Sequence, residues 1–129
     1  MPVSRALRDP VVTHAEREVT FTTDQIGAYA EASGDHNPIH ADGDFARSVG
    51  LPGVIAHGML QMGILASVAS EAAGGAKRLR RLYCRFAGMV EPGDTVTFAA
   101  DDAGPGKLTL TAVNQRGEPV LTKASAEYL

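Results

Sequence analysis

The feature that most constrains the fold is a long apolar stretch, HGMLQMGILASVASEAAGG, at residues 57–75. It consists of good helix formers and ends in two glycines, which are a helix stop signal. One broad side of this helix carries Leu60, Met62, Ile64, Leu65 and Val68. A second side carries only small residues: Gly63, Ala66, Ser67 and Ser70. This side either allows a backbone, a sheet or a long ligand to approach closely, or simply packs closely within the protein. A helix that is apolar over most of its circumference must be covered, so we expect it inside the fold.

The sequence after this helix has the pattern of β-strands. The predicted strands are residues 79–90, 95–100, 107–113 and 119–129. EPGD separates the first two and has Pro and Gly at the central positions of a type II turn, and QRGE separates the last two. A run of antiparallel strands is therefore available to cover the helix.

The sequence before the long helix predicts one strand and two helices. Residues 15–21 have strand character. Thr22 and Gln25 form a capping-box pattern, and the helix that begins there is expected to end at Gly34, since glycine accepts a positive φ past a helix end. A short helix is predicted over residues 41–49.

This order of elements predicts an α+β fold in which a curled antiparallel sheet wraps the long helix. The 129 residues are expected to form one domain, residues 1–129, with no internal repeat or long linker. At this size, folding buries about two-thirds of the surface of the unfolded chain, which is enough for a core.

Composition and charge exclude several classes of protein. Apolar residues make up 44% of the chain and charged residues 21%, which is typical of soluble globular proteins. The net charge of -3 gives no general affinity for nucleic acid or anionic membranes. We find no apolar signal-peptide core at the N-terminus and no membrane-spanning stretch, so a cytoplasmic location is expected. The only cysteine, Cys84, excludes an intrachain disulfide and a thiolate metal cluster, and its strand-like neighbours favour a buried structural thiol.

The octapeptide SGDHNPIH, residues 33–40, concentrates groups that can bind a metal or move protons. His36 and His40 have the spacing of two metal ligands on one helix face, but Pro38 disfavours a regular helix through them. A zinc or iron site built from this loop together with His57 is kept as the less favoured alternative.

Asp35 and His40 form the candidate acid–base pair of this loop. A carboxylate and an imidazole suit proton transfer near neutral pH, and a bent loop can hold one water or substrate hydroxyl between them. Asn37 offers a donor and an acceptor to orient the loop or the water. The equally weighted alternative is that Asp35 and Asn37 only satisfy loop amides and His40 only packs.

The segment IAHGML, where the long helix begins, supplies a candidate carbonyl-binding group. The amide of Gly58 lies at a helix N-terminus, where an unpaired N–H and the helix dipole favour developing negative charge. His57 is expected to orient the loop rather than take part in the chemistry.

The basic run KRLRR, residues 77–81, and Arg85 have two equally weighted interpretations. In the first, they are solvated strand residues that discourage pairing at the edge of the sheet. In the second, they bind the phosphates of a pantetheine-bearing cofactor or the acidic face of a carrier protein.

The segments YAEASGDHNPIHAD and GVIAHGMLQMG resemble the MaoC-like hydratase/dehydratase family. This family includes the R-specific enoyl-CoA hydratases (hydratase 2) and the β subunit type of mycobacterial 3-hydroxyacyl-carrier-protein dehydratases. The first segment fits the hydratase 2 signature Gly-Asp-x-Asn-Pro-aliphatic-His, and a later RF…V-PGD-V pattern extends the resemblance over most of the chain.

The resemblance implies a hot-dog fold, usually dimeric, and a role for each matching residue. It implies that Asp35 and His40 are the catalytic dyad, that Asn37 supports them and that the Gly58 amide is the oxyanion donor. His36 falls at the variable position of the signature and receives no role.

Four further residues are expected to contact substrate: His57, Met59, Arg85 and Phe86. No metal and no cofactor is expected apart from the CoA or acyl carrier protein that carries the substrate as a thioester.

The resulting hypothesis is a hydro-lyase of fatty acid metabolism that interconverts trans-2-enoyl and (R)-3-hydroxyacyl thioesters through one water. The expected partners are acyl-CoA or acyl carrier protein and a second copy of the chain, with a heterodimer of two hot-dog subunits as an alternative. The alternative functions are an acyl thioesterase and a non-catalytic partner subunit, although the intact pair of Asp35 and His40 argues against the latter. Acyl chain length, carrier, pathway and direction stay open.

Overall fold

The computed structural model describes residues 14–129. These residues form five strands, three α-helices and two short 3-10 turns. In chain order they are β1 His14–Thr20, α1 Thr23–Ser33, a 3-10 turn Pro38–His40, α2 Gly43–Ser48, α3 Gly58–Ala73, a 3-10 turn Ala76–Arg78, β2 Leu79–Phe86, β3 Thr95–Asp102, β4 Lys107–Asn114 and β5 Pro119–Tyr128. The expected single domain of residues 1–129 includes residues 1–13, which lie outside the described residues.

The strands form one antiparallel sheet in the order β1-β3-β4-β5-β2. Helix α3 packs against β1, β2, β3 and β4, so the sheet curves around it. The core lies between them, and its largest fully buried side chains include Leu65 of α3 and Phe98 and Leu108 of the sheet. Phe21, just after β1, and Ile26 of α1 also belong to this core. This arrangement confirms the predicted α+β hot-dog fold.

The buried side of helix α3 differs from the broad apolar side that the sequence predicted. Its buried side carries Gln61, Leu65, Val68, Ala69, Ala72 and Ala73, whereas Leu60, Met62 and Ile64 are only half-buried. The small residues Gly63 and Ser67 are exposed, and Arg17 of β1 reaches across to donate to the Ser67 hydroxyl at 2.9 Å. The sheet therefore covers the alanine-rich stripe, because alanines allow the closest approach of helix and strands.

Local signals at the ends of elements are confirmed. The Thr22 hydroxyl accepts from the amide of Gln25, and Gly34 has φ 77° and donates to the Ala30 carbonyl, so α1 begins and ends as predicted. In the EPGD turn, Gly93 has φ 95° and the Asp94 amide donates to the Glu91 carbonyl at 3.0 Å. A positive φ at the third residue defines a type II turn.

The predicted strand over residues 79–90 is too long. Strand β2 ends at Phe86, after which the amides of Ala87 and Gly88 both donate to the Val120 carbonyl, so the chain leaves the ladder. Gly88 makes this possible, because a Cβ there would lie 3.3 Å from the Pro119 carbonyl oxygen. The released segment crosses the end of the sheet, where the Val90 carbonyl accepts from the amide of Ala56 and borders the site described below.

Cys84 is half-buried and packs against the core. Burial raises the pKa of its thiol, which lowers the fraction of reactive thiolate and supports a structural role. Within residues 14–129, none of the helices has the length and apolar character needed to cross a membrane.

Candidate active site

The loop between α1 and α2 is shaped by hydrogen bonds from its own side chains. The Asp35 amide donates to the Ser33 hydroxyl, and the Asp35 carboxylate accepts from the Asn37 amide at 3.2 Å. The Asn37 side-chain oxygen accepts from the amide of Ile39 and caps the 3-10 turn that Pro38 begins. Asn37 therefore shapes the loop that holds both Asp35 and His40, which is one of the two roles expected of it.

His40 is held in one orientation by the backbone. Its Nδ1 donates to the Ile55 carbonyl at 2.7 Å, and a carbonyl can only accept, so the proton of the neutral ring is on Nδ1. Nε2 then carries a lone pair and hydrogen-bonds to no described residue. The amide of Ile55 in turn donates to the Ile39 carbonyl, which fastens the loop to the segment before α3.

His57 lies behind this pair and is only 1% exposed. Its Nε2 donates to the backbone carbonyl of Asp35 at 3.1 Å. Its ring stacks on the ring of His40, with 3.7 Å between centroids, and Tyr29 packs edge-on against it. Nδ1 of His57 is buried without a hydrogen-bond partner among the described residues. His57 thus contacts both members of the candidate pair, and its expected role in orienting the loop stays a prediction.

Asp35, His40 and His57 each offer one ligand atom, and these atoms all lie within 4.8 Å of one another. Two imidazoles and a carboxylate are a donor set that zinc or iron(II) accepts. The structure therefore brings together residues of the octapeptide loop and His57, as the alternative of a zinc or iron site requires. Ligands of a tetrahedral zinc ion with bonds of about 2.0–2.1 Å are roughly 3.3 Å apart, so the three groups would have to close around an ion.

Gly58 is the first residue of α3, and its amide donates to no described residue. The Phe86 ring lies directly over it, since a Cβ at position 58 would be 3.0 Å from Cε1 of that ring. A side chain at position 58 would therefore force the Phe86 ring to shift. The free amide is where the sequence predicted an oxyanion donor.

A cavity of about 360 Å³ opens beside His40 and Gly58. It is lined by Ile39, His40, Ile55, Ala56, Gly58, Gln61, Phe86, Ala87, Gly88 and Met89. Sequence reasoning missed Gln61, which is only 3% exposed. The available signal was a carboxamide three residues after Gly58 in an otherwise apolar helix.

The remaining predicted residues lie in different surroundings. Phe86 lines the cavity, whereas Met59 and Arg85 are exposed and lie outside its lining. Arg85 donates to the Tyr83 hydroxyl at 3.3 Å. His36 is exposed, with its Nδ1 4.0 Å from the Glu31 carboxylate. His57 is also outside the lining, and the substrate contacts of all four residues stay predictions.

The basic run is divided by the fold. Arg78 donates to the Leu129 carbonyl, whereas Arg80 and Arg81 border a separate groove of about 540 Å³ with Lys107 and Glu127. Both arginines are exposed, because a register shift interrupts the ladder between Leu79 and Arg81. This groove lies at the start of β2, and the candidate site lies at its end.

A sheet curved around one helix, with His40 of the Asp/His loop lining the same cavity as the first residue of that helix, defines a hot-dog domain with a candidate acid–base site. The sequence model of the MaoC-like domain matches residues 6–123, so the chain belongs to the MaoC-like hydratase/dehydratase family.

Several curated proteins contain a segment similar to this chain. It is 34% identical over 106 residues to a peroxisomal hydratase-dehydrogenase-epimerase of Neurospora crassa, which covers 82% of this chain and 12% of that protein. It is 37% identical over 89 residues to fatty acid synthase subunit beta of Aspergillus oryzae, which covers 67% of this chain and 4% of that protein. The chain therefore spans a small part of these multifunctional relatives.

Solved structures with a similar fold include an (R)-hydratase and a MaoC-like dehydratase. The (R)-hydratase from A. caviae involved in PHA biosynthesis superimposes with a TM-score of 0.77 at 25% identity, covering 90% of this chain and 92% of that one. A MaoC-like dehydratase from Phytophthora capsici gives a TM-score of 0.80 at 28% identity, covering 88% of this chain and 39% of that one.

Proposed function

We propose that this protein catalyses the reversible addition of water to a trans-2-enoyl thioester, giving a (R)-3-hydroxyacyl thioester. The observation that carries the proposal is that the Asp35 carboxylate lies within 4.8 Å of a His40 ring nitrogen, and that His40 lines the same cavity as Gly58, whose amide is free. Membership of the hydratase/dehydratase family and the similarity to an (R)-hydratase support it.

The Gly58 amide binds the thioester carbonyl. When water adds to Cβ, the electron pair of the carbon–carbon double bond moves towards the carbonyl, so the charge that develops in the reaction is that of an enolate oxygen. A fixed N–H at a helix N-terminus stabilises such a charge, and a donor of this kind contributes about 10²–10³-fold. The same polarisation makes Cβ of the enoyl group electrophilic and Cα of the hydroxyacyl group acidic.

Asp35 and His40 hold the reacting water. A water that makes two hydrogen bonds of about 2.8 Å at a tetrahedral angle spans roughly 4.6 Å between its partners, and these two groups lie within 4.8 Å of each other. The water oxygen bonds to Cβ, one of its protons passes to the pair, and the pair delivers a proton to Cα on the same face. Dehydration follows the same steps in reverse.

His40 is suited to this exchange because Nδ1 is occupied by the Ile55 carbonyl. All proton transfer at this ring is thereby confined to Nε2. Positioned acid–base groups contribute about 10²–10⁴-fold, so the pair and the Gly58 amide act together.

The proposal includes a carrier and a second subunit. The acyl group is carried by CoA or acyl carrier protein, and no metal or other cofactor takes part. Strand β2 pairs only with β5 among the described strands, and Tyr83 and Phe86 on it are exposed, which supports a homodimer over the open end of the cavity. A heterodimer with a second hot-dog subunit is the alternative, and sedimentation of the purified chain distinguishes the two. The cytoplasmic location stays a prediction.

The test follows loss of the enoyl absorbance across a series of enoyl-CoA and enoyl-carrier-protein lengths. Asp35→Asn and His40→Gln should each lower kcat by about 10²–10⁴-fold while the circular dichroism spectrum stays that of the wild type. His36→Gln is the matched control, since it makes the same kind of change in the same loop at an exposed side chain. Near-normal turnover by either dyad variant would refute the assignment.

The two alternative functions predict other products. A thioesterase would release free thiol from acyl-CoA, which a thiol reagent detects in the same samples. A non-catalytic partner subunit would show no turnover alone and would gain it only with a second chain.

A further inference from the structure

Gln61 is a polar residue on the side of α3 that faces the core. Its neighbours on that side are Leu65, Val68, Ala69 and Ala72, all of them buried and apolar. Gln61 itself is 3% exposed, and its Oε1 is buried without any hydrogen-bond partner among the described residues. Such a group destabilises the ligand-free protein, because it has lost its hydrogen bonds to water and has formed none within the protein.

Gln61 lines the cavity that contains His40 and Gly58. Residues three apart lie on the same face of a helix. Three residues advance by about 4.5 Å along the axis, which places Gln61 beside the acyl chain a few bonds beyond a carbonyl held at Gly58. Apolar residues also line this cavity, among them Ile55, Ala56 and Met89.

We propose that Gln61 makes this cavity selective for acyl thioesters that carry a hydroxyl, or a similar group that both donates and accepts hydrogen bonds, beyond C3. This rests on the proposed hydratase function, of which it names the substrate class. A hydroxyl supplies the donor that Oε1 lacks and accepts from the amide nitrogen. An alkyl chain without a polar group leaves the Gln61 carboxamide without a hydrogen-bond partner and displaces any water from the cavity beside it.

The size of the preference for the hydroxylated thioester follows from the free energy that is lost when a buried polar group has no hydrogen bond. A site that is built to hydrogen-bond a substrate discriminates against the analogue that lacks the group, and we expect about a 10- to 100-fold difference in kcat/KM. The cavity of about 360 Å³ admits a short chain of this kind.

The test compares two thioesters of equal chain size, 5-hydroxy-trans-2-pentenoyl-CoA and trans-2-hexenoyl-CoA. The wild type should prefer the hydroxylated one by about 10- to 100-fold in kcat/KM. Gln61→Met, which keeps the shape and removes the polar group, should abolish or reverse that ratio. Met89→Leu is the control, because it changes an apolar lining residue and should keep the ratio. An equal rate for both thioesters in the wild type, or an unchanged ratio in Gln61→Met, overturns the proposal.

Binding separates this inference from the proposed reaction. If the wild type hydrates neither thioester, the proposed function fails, and calorimetry with the saturated pair, 5-hydroxypentanoyl-CoA and hexanoyl-CoA, still tests the cavity. Tighter binding of the hydroxylated compound that is lost in Gln61→Met supports the inference, and equal or absent binding overturns it. The thermal midpoint of ligand-free Gln61→Met should also rise, whereas a fall would show that the carboxamide has a partner in the folded chain.

Discussion

The imidazole rings of His40 and His57 stack with 3.7 Å between their centroids and 23° between their planes. The hydrogen bond from Nδ1 of His40 to the Ile55 carbonyl fixes the rotation of the first ring, and the stack supports its face. His57 in turn donates to the carbonyl of Asp35, so one buried side chain contacts both members of the proposed pair.

His57→Phe should lower kcat by about 10- to 100-fold with little change in KM, since small displacements of positioned groups are costly. Phenylalanine keeps a ring against His40 but cannot donate to the Asp35 carbonyl. Steady-state kinetics on an enoyl-CoA measures the split between kcat and KM. Tyr29→Phe keeps the edge-on contact with His57 and serves as the control. A rise in KM with unchanged kcat would instead indicate that His57 binds substrate.

Gly58→Ala should lower kcat/KM by about 10- to 100-fold while the thermal midpoint stays close to that of the wild type. The added Cβ lies 3.0–3.2 Å from atoms of the half-exposed Phe86 ring, which can move, but it also obstructs a carbonyl that approaches the amide. Gly63→Ala is a control in the same helix, because a Cβ there meets nothing within 4 Å. It should stabilise the protein by about 1 kcal/mol through helix propensity and leave activity unchanged.

Removal of metal ions with EDTA should leave hydration activity unchanged, because the proposed pair acts on water directly. Activity is measured before and after dialysis, and again after addition of zinc or iron(II). Loss of activity that one of these ions restores would favour the metal alternative for Asp35, His40 and His57.

Asp94 should make the stability of the fold depend on acid pH. Burial acts to raise the pKa of its carboxyl, but hydrogen bonds from the Gln115 side chain and the Glu91 amide, with Arg116 nearby, outweigh this and lower it below the ordinary value of 3.8. A lowered pKa in the folded state means that the contribution is complete above the ordinary value and is lost as pH falls through the folded pKa.

Urea unfolding of Asp94→Asn and wild type at several pH values measures this contribution. At neutral pH the variant should be less stable by about 1–2 kcal/mol, and the difference should shrink below about pH 4. The exposed Glu18 of β1, changed to Gln, is the control. A difference that does not change with pH would mean that the charge of Asp94 is unimportant.

Short-range features of the fold were predictable because their causes lie within a few residues. The Thr22 cap, the positive φ of Gly34 and the EPGD turn each depend on side chains no more than four positions apart. The same holds for the loop that carries Asp35 and His40, since Asn37 shapes it through bonds to its neighbours. The long apolar stretch also required a covering sheet, because no helix of that kind is stable in water.

Contacts between distant segments were decided by the tertiary structure alone. The sheet order, the departure of the chain from β2 after Phe86, and the separation of Arg80 and Arg81 from Arg85 depend on how β5 pairs with β2. The stack of His57 on His40 and the burial of Gln61 depend on which side of α3 the sheet covers. Helical periodicity limits which side of α3 can be buried but does not decide it. The buried side is the one that brings the most apolar surface into close packing, and that surface comes from the sheet as well as from the helix.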